Sequence, residues 1–78
     1  MTVYVVLIND RHADPDVRVF TDRLRALQYA RTTAFKYAYR PVDVDEHDVD
    51  GFLYYADYSP ESDYVFVVAR ETDPEDGS

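Results

Sequence analysis

One stretch of helical periodicity, flanked on each side by two short β-branched or aromatic runs, restricts this chain to a small mixed α and β fold. Between Asp22 and about Ala38, the residues Leu24, Leu27, Ala34, Phe35 and Ala38 fall in one stripe at about 100° per residue, with Ala30 at its margin. Arg25, Tyr29, Thr32 and Lys36 take the opposite side, so the segment reads as an amphipathic helix laid on a sheet. Thr21 stands at the N-cap position and Asp22 in the first turn, where a carboxylate suits the helix dipole. Pro41 forbids a regular continuation beyond Arg40.

Before the helix, Val3 to Ile8 is apolar throughout and reads as a central strand covered on both sides, while Val17 to Phe20 alternates around Arg18 as an edge strand. After it, Phe52 to Ala56 and Tyr64 to Ala69 read as a hairpin joined through the Ser-Pro-Glu-Ser turn. The expected fold is α+β, in the order β-β-α-β-β, with a small, mainly antiparallel four-stranded sheet and one helix packed on one face. Residues 1–71 form the expected single domain, and the polar segment 72–78 is expected to fray. With no cysteine, the core has no disulfide to support it, and eight Tyr and four Phe supply much of its bulk. The longest apolar run, six residues, is far short of the roughly 20 needed to span a bilayer, so no membrane association and a cytoplasmic location are expected.

Charge divides the chain in two. Residues 1–40 hold seven basic side chains against four acids, whereas residues 41–78 hold twelve acids against one base, Arg70. A block this lopsided gathers negative potential on one part of a folded surface. Its densest part, Val42 to Gly51, admits a short helical turn from Asp45 or an extended stretch at Val42 to Val44, but no long element.

Catalytic chemistry finds little support. Gly51 preceded by Glu46, Asp48 and Asp50 invites comparison with a calcium loop, but no helix closely precedes the segment. His12 and His47 sit among carboxylates and read as solvated loop histidines. The three serines lie in a turn and at the end of the chain without a nucleophile-elbow context, and two glycines cannot build a phosphate-cradling loop. No catalytic residue, metal ligand or cofactor is expected, and the chain does not read as an enzyme. Direct nucleic-acid binding through Arg25, Lys36 and Tyr29 is opposed by a net charge of −8.

The residues expected to meet a partner are Asp43, Asp45, Glu46, Asp48 and Asp50, extended by Asp57, Glu61 and Asp63 of the hairpin and by the flat rings of Tyr55 and Tyr58, with Tyr54 and Tyr64 beside them. Segments Asp10 to Phe20 (DRHADPDVRVF) and Gly51 to Val68 (GFLYYADYSPESDYVFVV) resemble stretches of small proteins from prokaryotes and their viruses. In size, acidity and lack of catalytic residues the chain resembles the DNA-mimicking anti-CRISPR proteins of phages and mobile elements. That resemblance implies a monomeric inhibitor that occludes the basic nucleic-acid channel of a surveillance complex or other DNA-binding protein. The alternative is an acidic interaction module of a salt-adapted prokaryote without DNA mimicry, consistent with seven Arg and a single Lys.

Overall fold

The computed structural model describes residues 1–11 and 14–72. His12 and most of the segment expected to fray, residues 73–78, lie outside them. The elements are β1 (Thr2–Asn9), β2 (Asp16–Phe20), α1 (Arg23–Tyr37), a 3-10 turn (Pro41–Asp43), β3 (Asp45–His47), β4 (Tyr54–Asp57) and β5 (Tyr64–Glu71). Every strand pair is antiparallel and the spatial order is β2-β1-β5-β4-β3. The fold is α+β with one helix, as expected, but the sheet has five strands, not four. The added strand is β3, and it lies in the acidic segment. The helical turn precedes it and the extended part follows, the reverse of the expected placement, because Pro41 supplies a preset φ for the turn at Pro41–Asp43.

Direct cross-strand partners share a face, which assigns every strand side chain. Tyr4, Val6 and Ile8 of β1 oppose Ala69, Val67 and Val65 of β5, and Tyr54 and Ala56 of β4 continue the row. This is the face that α1 covers, and its buried members join Ala26, Ala30 and Ala34 of the helix in the core. The helix begins one residue later than expected, because the Asp22 carboxylate accepts from the Leu24 backbone N–H at 3.0 Å and so is itself the N-cap.

The buried stripe of α1 is also rotated. Ala26, Ala30, Thr33 and Ala34 are buried, whereas Leu24 is 62% exposed and Phe35 37%. Small side chains win the inner position because Val6, Val65 and Val67 of the sheet and Tyr58 just beyond β4 already provide the bulk, and the helix backbone must come close to fill the space between them.

The opposite face carries Val17 and Val19 of β2, Val3, Val5 and Leu7 of β1, Tyr64, Phe66 and Val68 of β5, and Tyr55 of β4. Among the described residues no element covers it. The double covering expected for β1 is therefore not met: Val6 and Ile8 are buried, but Val3, Val5 and Leu7 are only half-buried. β1 is an interior strand, with β5 at the centre. No helix of the described residues is long and apolar enough to cross a membrane.

Candidate functional site

β3 is the outermost strand on its side of the sheet, so the acidic segment lies along a sheet edge. Strand alternation sends Asp45 and His47 to the uncovered face and Glu46 to the helix side. Glu46 accepts from the Tyr54 hydroxyl at 2.7 Å and pairs with Arg31 of the helix at 3.1 Å, so it ties the edge strand to α1. Asp45 stands directly opposite Asp57 in the β3–β4 register, a pairing of like charges that alone opposes strand association. His47 Nε2 lies 2.8 Å from Asp57 and 3.5 Å from Asp45 and bridges the two. Asp48 and Asp50 follow in the exposed connection to β4. There the Phe52 N–H donates to the Val49 carbonyl, and Gly51 takes the positive φ of 86° that this tight turn requires.

Asp43 is drawn inward, where it pairs with Arg40 at 3.3 Å. Glu61 is exposed in the β4–β5 turn, whose Pro60 stands at the favoured second position. Two expected contact residues are not on the surface. Asp63 is 3% exposed and accepts the Arg11 backbone N–H at 2.7 Å, and Tyr58 is 1% exposed with its hydroxyl donated to Asp10 at 2.9 Å. Both hold the turn and the loop after β1 together. The acidic edge thus consists of Asp45, Glu46, Asp48, Asp50 and Asp57, with Glu61 apart from them.

Beside that turn a cleft of about 580 Å³ opens between Tyr37, Tyr39, Tyr58 and Pro60. Among the described residues that line it, Ser59 accepts the Glu61 N–H through Oγ. It presents the carboxylates of Asp10, Asp43 and Glu61, the phenols of Tyr37 and Tyr39, and the Arg40 guanidinium.

Tyr55, expected with Tyr64 as flat contact surface, belongs to a larger feature that also takes in Phe52, Phe66 and His47, a grouping that the sequence did not single out. Its ring stacks on Tyr64 at 5.5 Å and Phe66 at 6.2 Å, with Phe52 edge-on to both Tyr55 and Phe66 and His47 edge-on to Tyr55. These five rings form an aromatic sheet on the uncovered face, next to the acidic edge. The signal was present in the alternation of Tyr64 and Phe66 with Val65 and Val67, which separates a ring-bearing face from an aliphatic one. Burial, followed by the nearby Asp57 charge, pushes the Tyr55 phenol up from its ordinary range.

The chain matches no protein-family model, and neither the curated proteins nor the solved structures include a significantly similar one.

Proposed function

We propose that the protein is a non-enzymatic binding protein whose acidic edge occupies a basic surface on another protein, and that this surface is one built for nucleic acid. The observation that carries the reading is the position of β3. Among the described residues it is an outer strand with no neighbour on one side, and Asp45 and Glu46 on it lie with Asp48 and Asp50 of the following turn and Asp57 of β4 along one rim. A DNA-handling channel holds its ligand largely through Lys and Arg aimed at evenly spaced phosphates. A rim of carboxylates competes for those same cations, in the manner of an anti-CRISPR-like occluder in the cytoplasm.

The test is displacement of DNA from a basic DNA-binding complex, with a type I surveillance complex as the first target. Asp48→Asn with Asp50→Asn removes two exposed charges that Arg31 and Arg40 do not pair. Displacement by this variant is expected to weaken by about tenfold or more, and raised salt is expected to weaken the parent protein as well. Displacement that is insensitive to both changes would refute electrostatic occlusion.

A second reading, an acidic module of a salt-adapted cell, is favoured by the internal pairing of Glu46 with Arg31 and Asp43 with Arg40. It predicts a chain that folds only near 2 M salt, where repulsion is screened, whereas the first predicts cooperative melting above roughly 45 °C at about 0.15 M.

A further inference from the structure

The uncovered sheet face is the largest feature that the acidic edge leaves unexplained. Val17 and Val19 are 53% and 61% exposed, and Val3, Val5, Leu7, Phe66 and Tyr55 continue from them across the strands as one apolar surface. Five strands about 4.8 Å apart and roughly 20 Å long give a face of about 500 Å² in projection. The apolar part of that face falls in the range of the largest patch on a typical monomer, which is often a functional one.

Charge indicates what covers it. The face has Arg70 at one end, opposite Val3, and Asp57 and Asp45 at the other, level with Tyr64. Basic and acidic ends on one apolar surface make it self-complementary. We propose that this face packs against the same face of a second copy, about a two-fold axis lying across the strands.

That axis swaps strand ends and keeps strand order. It sets Arg70 of each copy over the Asp57 end of the other, with β5 against β5. An axis along the strands would set Arg70 against Arg70. Two such faces closed together bury on the order of 1,000 Å², the size of a weak, reversible interface, in aligned sheet packing at about 10 Å. A nucleic acid fits the face poorly, since among the described residues its one guanidinium, Arg70, is at the end, His47 is engaged by Asp57 and Asp45, and the chain carries −8. The proposal does not rest on the acidic-edge reading, although it uses Asp57 and Asp45, which that edge also contains.

The experiment is solution mass against concentration, by sedimentation and light scattering, on the whole chain. The parent protein is expected to double its mass with a midpoint in the micromolar range. Val19→Lys alters an already exposed position and is expected to raise the midpoint at least about tenfold, with an unchanged far-UV spectrum and melting curve as the control for folding. Arg70→Asp is expected to do the same, and adding Asp57→Arg to it is expected to restore association. A single-chain mass up to about 1 mM would overturn the proposal, as would a dimer insensitive to both Val19→Lys and Arg70→Asp. A monomer that instead retards a labelled single-stranded oligonucleotide through this face would overturn it in favour of a nucleic-acid surface.

Discussion

Tyr58 shows how one buried phenol sets the alkaline behaviour of the protein. Burial, then the hydrogen bond to Asp10 and its charge, raise its pKa well above the ordinary 10.0, and burial with Glu46 does the same for Tyr54. A raised phenol favours the protonated form in the folded state. The stabilisation is therefore complete below about pH 10 and is lost as pH climbs from there toward the folded-state values. Melting temperature is expected to hold to about pH 9 and fall above about pH 10, with the fall reduced in Tyr54→Phe and Tyr58→Phe. Tyrosinate absorbance followed alongside melting checks this, since these two phenols should ionise only with unfolding. At neutral pH, Tyr58→Phe is expected to cost about 1 kcal/mol, read from denaturant titration, for the lost hydrogen bond to Asp10. Ser62, with a φ of 71°, offers the opposite change. Ser62→Gly is expected to gain several tenths of a kcal/mol by relieving a left-handed conformation that glycine tolerates, also read by denaturant titration.

At the scale of elements, the helix is the most sensitive contact. Its alanine stripe lies directly on β1, β5 and β4, so Ala30→Leu is expected to destabilise by about 1–3 kcal/mol, whereas Leu24→Ser at an exposed position should change stability by under about 0.5 kcal/mol. Thermal melting separates the two, since each kcal/mol shifts a domain of this size by roughly 4–8 °C. The same helix shows what the sequence carried and what it did not. Its limits were legible to within a residue at the start because Asp22 and Pro41 are local signals. Its phase was not, because Leu24 and Phe35 outweigh alanine in any hydropathy stripe, and the preference for alanine comes from the sheet opposite. The hairpin of β4 and β5 was legible from its turn. β3 was not, because three residues, Asp45, Glu46 and His47, carry no β signal of their own and gain their strand from β4.

For the whole molecule, the charge division visible in the sequence becomes a geometric one, with the acidic segment forming one sheet edge. Which carboxylates face outward was not readable, since the inward turn of Asp63 depends on the Arg11 backbone, distant in sequence and adjacent only after folding. The same kind of distance governs the sheet. Its two longest strands, β1 and β5, lie side by side with Thr2 opposite Glu71, so the central pairing joins segments that the rest of the domain separates. A chain built this way must close nearly its entire length before its best contacts form, and refolding is expected on the millisecond to second scale, measurable by stopped-flow fluorescence of its tyrosines. During synthesis the order is stricter still. β1, β2 and the helix leave the ribosome first, and the inner edge of β1 stays unpaired until β5 has emerged. For that interval the nascent chain presents a bare apolar strand, and its yield in a cell depends on how quickly translation of the final hairpin follows or on what shields that strand meanwhile.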